Sequence, residues 1–204
     1  MRTKDVAAGA ILGALAMIIR ILGIKIPFPP IPYLVFEFAE VPVILSLMLF
    51  GPIAGLISVL CCWIILNVLG EFVPIGPAMF LAASLSTICG IYIGVRAVKK
   101  LSMRAALIFG YVAGFTLRSI VMTLLNYVIL VILMPKFLEF AAKSLSGFLG
   151  MSFSEPANAI MLILAFTALF NILQVTIVYI PSLAIVKIIN KAGVLPKIWI
   201  ASWE

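Results

Sequence analysis

The chain has 204 residues, of which 65% are hydrophobic and only 10% are charged. A soluble domain does not bury that much apolar surface, so the composition predicts one integral membrane domain covering residues 1–204. The net charge of +7 does not indicate nucleic-acid binding, because the basic residues lie mostly at the ends of apolar segments.

Six apolar segments follow one another along the chain, separated by proline, glycine or charged residues. A helix needs roughly 20 apolar residues to cross the hydrocarbon core of a bilayer. The pattern therefore predicts an all-α membrane protein, a six-transmembrane-helix bundle with helices at about 6–24, 37–50, 52–69, 76–98, 104–133 and 157–190.

The first segment carries four small residues at helical spacing, namely Gly9, Ala10, Gly13 and Ala14, which are expected to form one flat stripe. Such residues allow two helices to approach closely in a membrane. Two interpretations stay open: packing within this bundle, or a docking face for a partner membrane protein.

The next stretch, residues 25–36, contains four prolines, which exclude a regular helix. Irregular backbone does not face lipid, so this loop is expected to pack over the bundle or to cover a cavity. Its aromatic residues, among them Tyr33 and Phe36, suit a flat apolar ligand. Glu37 and Glu40 follow at the start of the second segment, either as acids at a helix N-terminus or as ligand contacts.

The later segments place polar side chains at membrane depth. Arg118 falls near the middle of segment five, where it is interpreted either as a partner of acidic groups or carbonyls, or as a functional residue. Asn126 lies further along the same segment. In segment six, Asn171 and Gln174 are three residues apart and share a helix face. These amides either join helices or bind a polar ligand.

The basic residues predict the orientation. With six spans, nine basic residues lie on one side of the membrane and three on the other. Because basic residues are enriched on the cytoplasmic side, this indicates that both termini are cytoplasmic. The nine are Arg2, Lys4, Arg96, Lys99, Lys100, Arg104, Lys187, Lys191 and Lys197, and the three are Lys25, Lys136 and Lys143. On this topology the amides, the proline-rich loop and the loop at 134–156, which has the spacing of a short surface helix, converge on an outward-facing pocket.

Several kinds of chemistry are excluded by the residues that the chain lacks. It has no histidine and no phosphate-binding Gly-x-x-x-x-Gly-Lys-[Ser/Thr] motif, and its three cysteines lack metal-ligand spacing. No catalytic residues, metal site or cofactor are therefore predicted. A concave apolar site with a few amides is typical of a binding protein.

Several motifs together resemble those of one transporter family. They are the acidic-aromatic segment 36–42, the Leu-Phe-Gly-Pro turn at 49–55, the stretch from Arg118 through Asn126-Tyr127 to Pro135, and Phe170-Asn171. In their order and spacing, the chain resembles the substrate-binding S components of energy-coupling factor (ECF) vitamin transporters, and most closely their riboflavin-specific branch.

The resemblance implies a multi-pass protein of the prokaryotic plasma membrane that captures riboflavin from outside as its transported ligand. It also implies docking through the small residues of helix one, Ala10 and Ala14, on a membrane-embedded coupling (T) subunit driven by two ATPase subunits. The expected ligand contacts are Asn126, Asn171, Gln174, Glu37, Phe36, Tyr33, Met79 and Tyr127.

Two positions depart from the family pattern. Gln174 stands where the family commonly has lysine, and Met79 where it often has asparagine. A second hypothesis therefore keeps the architecture but changes the vitamin or small metabolite. A third, a small intramembrane lipid enzyme, has only Arg118 with Glu37 and Glu40 in its favour.

Overall fold

The computed structural model describes residues 3–98, 102–193 and 199–200. Within these residues the chain forms seven α-helices and one two-stranded antiparallel sheet. The strands are β1 (Lys25–Pro27) and β2 (Val35–Glu37). The helices are α1 (Thr3–Ile21), α2 (Glu40–Phe50), α3 (Pro52–Leu69), α4 (Ile75–Ala97), α5 (Met103–Val128), α6 (Pro135–Leu149) and α7 (Ile160–Lys191).

Four of these helical stretches are long and apolar enough to cross a membrane. They are Pro52–Leu69, Ile75–Ala97, Met103–Leu133 and Pro156–Lys191, the last two including a π-helical turn at Ile129–Leu133 and a 3-10 turn at Pro156–Ala159. Helix α2 is apolar but has only 11 residues, and α1 carries three charged side chains near its ends. The structure thus shows a helical membrane protein with four long apolar spans.

The sheet was not predicted from the sequence. Lys25 pairs with Glu37 and Pro27 with Val35, so the proline-rich stretch forms a hairpin whose long loop holds three of the four prolines, while Pro27 lies in β1. Proline lacks a backbone donor but is tolerated on an edge strand. Because β2 continues to Glu37, helix α2 begins at Glu40 rather than at the predicted residue 37.

The hairpin is fixed to the bundle by its apolar side chains. Phe28, Ile31 and Phe36 are buried in a cluster that includes residues of α6 and α7. The ring centroid of Phe36 lies 4.8 Å from that of Phe170 on α7, which is close packing between aromatic rings. Helix α6 lies in the stretch where a short surface helix was predicted, and it closes the same end of the bundle.

Glycines bring α4 and α5 into close contact. Gly90 and Gly94 on α4 face Gly110 and Gly114 on α5, and all four are buried. A Cβ atom at Gly90 would lie 2.5 Å from the Ala113 carbonyl oxygen, well inside van der Waals contact. The α4–α5 interface therefore depends on backbone packed against backbone.

Substituting Gly90 with Ala is expected to destabilise the protein by about 1–3 kcal/mol, because the added methyl group must push the two helices apart. Gly147→Ala on α6 is the matched control, since a Cβ atom there meets nothing within 4 Å. That variant is expected to gain up to about 1 kcal/mol of stability from helix propensity. Thermal unfolding of the purified chain in detergent measures both; equal effects would contradict the close approach.

The small residues of α1 do not form one stripe, which corrects the prediction. Gly9 and Gly13 are buried against α3, where a Cβ atom at Gly9 would lie 2.6 Å from the Ala54 carbonyl oxygen. Ala10 and Ala14 are exposed on another face. Adjacent helix positions differ by about 100°, so the glycines pack within the bundle while the alanines face away from it.

Candidate functional site

A cavity lies beneath the hairpin, between α4, α5 and α7. It has two lobes of about 230 Å³ each. The lobes share the wall residues Tyr33, Leu34, Phe72, Gly76, Met79, Arg118, Met122 and Phe170. They are therefore two parts of one site.

The first lobe is mainly apolar. Met134, Phe137 and Leu130 line it beyond the shared residues, together with the two amides Asn126 and Asn171. Such a lining accepts a flat apolar group and offers a few hydrogen bonds to one edge of it. The π-helical turn Ile129–Leu133 contributes part of this wall, and a single π-helical turn of this kind is often found at a functional site.

The second lobe is charged, and its charges are paired. Three cations and three carboxylates line it. Each cation forms an ion pair with one carboxylate: Arg20 with Glu37 at 2.5 Å, Lys25 with Glu71 at 3.3 Å, and Arg118 with Glu40 at 2.6 Å. The formal charges of this lobe therefore sum to zero.

The Arg118–Glu40 pair lies at the centre of a buried hydrogen-bond network. Arg118 donates from Nε to Asn171 Oδ1 at 3.0 Å, and from Nη1 to Glu40 Oε2 and to Thr87 Oγ1 at 3.1 Å. Ser84 donates to the other carboxylate oxygen of Glu40. The network joins α2, α4, α5 and α7 below the cavity, where unpaired charges would be costly.

Gln174 connects α7 to the hairpin. Its Nε2 donates to the Glu37 carbonyl oxygen at 2.8 Å, and its Oε1 accepts from the Glu37 backbone N–H at 3.3 Å. A longer contact of 3.4 Å runs from Nε2 to Glu40 Oε2. The side chain therefore pairs with the end of β2 as a neighbouring strand would, and it holds the hairpin over the second lobe.

Burial shifts the acidity of two groups in the hairpin. It raises the pKa of Glu37 above its usual value, although the nearby Arg20 acts in the opposite direction. Burial likewise raises the pKa of Tyr33 above its usual value. The Tyr33 hydroxyl has no hydrogen-bond partner within the described ranges.

Six of the eight predicted ligand-contacting residues line the cavity: Tyr33, Glu37, Met79, Asn126, Asn171 and Gln174. The other two do not. Phe36 packs behind Phe170 and supports the wall from outside. Tyr127 is 45% exposed on the outer face of α5, because it follows Asn126 and points about 100° away from it.

Arg118, which the sequence left open between a structural and a functional role, lines both lobes, and so does Met122, which was not predicted. Arg118, Met122 and Asn126 are four residues apart, and they continue a buried stripe through Gly110 and Gly114. This four-residue spacing was the sequence signal that could have indicated that these side chains share the buried face of α5. Phe72, in the loop before α4, gave no sequence signal; it adopts a positive φ of 54°, which is unusual for a side chain of this size.

The fold defines a multi-pass membrane protein, and the cavity at one end of its helical bundle has the size of a small-ligand site. The sequence matches the family described as "ECF transporter, substrate-specific component" over residues 4–185. The chain belongs to this family. It is therefore a transport component of the bacterial cell membrane and not an enzyme, as the sequence predicted.

Two named relatives and one solved structure are similar to the chain. "Riboflavin transporter RibU" of Staphylococcus aureus (strain TCH60) is 35% identical over 63% of this chain and 66% of its own length. "Riboflavin transporter FmnP" of Bacillus subtilis (strain 168) is 29% identical over 71% and 75%. A solved S component of a bacterial ECF transporter superposes with a TM-score of 0.68 at 23% identity, over 94% of this chain and 98% of that one. This structural similarity supports the assignment of the fold.

Proposed function

We propose that the chain is the riboflavin-binding S component of an ECF importer. The observation that carries this proposal is the two-lobed cavity, which has one apolar lobe edged by amides and one charge-balanced polar lobe. Riboflavin has a flat ring system with one polar edge, and it carries a neutral hydroxylated chain. Both of these relatives are named riboflavin transporters, which supports the same ligand.

The proposed orientation places six helices across the membrane with both termini in the cytoplasm. The hairpin and α6 then lie outside, so the cavity beneath them receives the ligand from the exterior. The basic residues Lys4, Arg96, Arg104, Lys187 and Lys191 support this orientation. Four other residues of the predicted inner set, Arg2, Lys99, Lys100 and Lys197, lie outside the described residues.

The proposed partners are a membrane-embedded coupling subunit and two ATPase subunits. The sequence carries no Gly-rich phosphate-binding motif of the kind that binds ATP, which fits ATP hydrolysis by separate subunits. The exposed face of α1 around Ala10 and Ala14 is the proposed contact with the coupling subunit, because small residues permit close helix packing.

Asn126→Leu is expected to weaken riboflavin binding about 10- to 100-fold, as the loss of one or two buried hydrogen bonds costs about 1–3 kcal/mol. Within the described ranges, Asn126 makes one hydrogen bond, from Nδ2 to the Met122 carbonyl oxygen at 2.8 Å. Its Oδ1 therefore remains available to a ligand in the first lobe. Quenching of flavin fluorescence by the purified protein measures the affinity.

The matched control is Tyr127→Phe, one residue away on the outer face of α5, which is expected to leave the affinity unchanged. Wild-type protein that neither copurifies with riboflavin nor binds it when added would refute the proposed ligand. If the wild-type protein binds riboflavin and a folded Asn126→Leu variant binds it equally well, only the assignment of Asn126 to the site would be wrong.

A different vitamin or small metabolite is the second candidate, and Gln174 is the observation that favours it. The family's usual lysine at this position would add a positive charge to the second lobe, whereas the Gln174 amide is neutral and bonded to the hairpin backbone. Native mass spectrometry of the purified protein identifies the bound ligand by its mass and so separates the two candidates.

A further inference from the structure

Arg118 presents unused hydrogen-bond donors to the cavity. A guanidinium group has five N–H donors, one on Nε and two on each terminal nitrogen. Three of them are used by Asn171, Glu40 and Thr87. Across the described part of the chain, the Nη2 nitrogen has no hydrogen-bond partner, so two N–H groups remain.

These remaining donors are accessible from the cavity. Arg118 as a whole is only 5% exposed, and it lines both lobes. Some buried side-chain atoms of the described residues are fully enclosed and lack a hydrogen-bond partner. No atom of Arg118 is among them. Because Arg118 lines both lobes and its Nε and Nη1 are engaged by protein partners, Nη2 is the nitrogen left to serve a ligand in the cavity. A buried donor that faces a cavity is stabilised by an acceptor on a ligand.

The surroundings of Arg118 determine what kind of acceptor fits. Glu40 neutralises the guanidinium at 2.6 Å, and the other two cations of the second lobe are also paired. An anionic ligand would therefore find no unpaired cation in this lobe with which to form an ion pair. A hydroxyl or carbonyl oxygen, in contrast, accepts from Nη2 without disturbing the balance of charge.

We propose that Arg118 contacts the ligand directly, with Nη2 donating hydrogen bonds to hydroxyl groups of a neutral polar chain where that chain leaves the aromatic ring. The assignment rests on the proposed flavin ligand. Asn171 is then a positioning residue as well as part of the wall. It accepts from Arg118 Nε while donating from Nδ2 to the Thr167 carbonyl oxygen at 2.8 Å, and so fixes the plane of the guanidinium.

Arg118→Lys tests the assignment because lysine keeps the positive charge beside Glu40 but cannot bond Glu40 and also reach the cavity with a second nitrogen. The probes are riboflavin and lumiflavin, which has the same ring with a methyl group in place of the hydroxylated chain. Flavin fluorescence quenching by the purified chain measures both dissociation constants. The variant is expected to bind riboflavin at least tenfold more weakly and lumiflavin within threefold of wild type.

Ser84→Ala is the control, because Ser84 bonds the Glu40 carboxylate oxygen that Arg118 does not use, and it does not line either lobe. It is expected to change neither dissociation constant by more than threefold. If Arg118→Lys does not fold, the paired variant Arg118→Met with Glu40→Gln removes both charges together, and the same selective loss of riboflavin affinity is expected.

Three results are informative in different ways. Equal losses for riboflavin and lumiflavin would overturn the assignment, because they would indicate a general structural effect on the cavity. Unchanged riboflavin affinity in a folded variant would overturn it as well. Wild-type protein that binds neither flavin would instead refute the proposed ligand, so the two failures are distinguishable.

Discussion

Replacing Glu40 with Gln is expected to destabilise the protein by about 3–5 kcal/mol, because it leaves the buried charge of Arg118 without its counter-ion. Glu40 and Arg118 are each 5% exposed, so solvent screens the loss only weakly. The change keeps the size of the side chain and its ability to accept from Ser84. The expected result is a drop in the thermal midpoint of roughly 6–20 °C in detergent.

Glu37→Gln is the matched comparison within the same segment. Glu37 also forms an ion pair, with Arg20, but the two side chains are 15% and 24% exposed at the mouth of the cavity. Its loss is expected to cost no more than about 1 kcal/mol, as for partly solvated pairs in general. If the two variants lose equal stability, the distinction between the buried and the peripheral carboxylate is wrong.

A second variant separates charge balance from packing. Adding Arg118→Met to Glu40→Gln removes both charges, and replacing a buried ion pair in this way is often neutral or stabilising. The double variant is expected to recover most of the lost thermal midpoint. Failure to recover would show that the hydrogen bonds to Thr87 and Asn171, rather than the charges, account for the stability of this region.

The paired acids show how much of the site the sequence could predict. Glu37 and Glu40 are both recognisable as acids close to a helix start, but their different environments depend on contacts with Arg20 and Arg118, which are 17 and 78 residues away in the chain. Local spacing contains no information about such partners. It predicts which side chains share a helix face, as Asn171 and Gln174 do, but not what that face meets.

The fold was easier to predict than the hairpin. Long apolar segments are a strong signal, and the four long spans coincide with predicted segments. The proline-rich stretch excluded a helix, and prolines usually argue against a strand as well. Pairing of Lys25–Pro27 with Val35–Glu37 depends instead on tertiary support from Phe170 and Gln174 on α7, more than 130 residues away.

The division of the small residues on α1 leads to the second large expected effect. Ala10→Trp is expected to lower riboflavin uptake by cells at least about tenfold while leaving binding by the purified chain unchanged, since the bulky ring prevents close helix approach to a coupling subunit. Ala10 is exposed and faces away from the packed interior of the described bundle, so the substitution does not require that interior to repack. Ala14→Trp, one turn further along the same face, should act in the same way.

The neighbouring glycine supplies the contrast that makes the result interpretable. Gly9 lies against the Ala54 carbonyl oxygen and Ile57 of α3, so Gly9→Leu is expected to disrupt folding and to reduce binding and uptake together. If the exposed face of α1 is the docking surface, Ala10→Trp should reduce uptake alone, whereas Gly9→Leu should reduce both ligand binding and uptake. Normal uptake by a well-expressed Ala10→Trp variant would show that the coupling subunit contacts another face, because a tryptophan side chain cannot fit between closely packed helices without separating them.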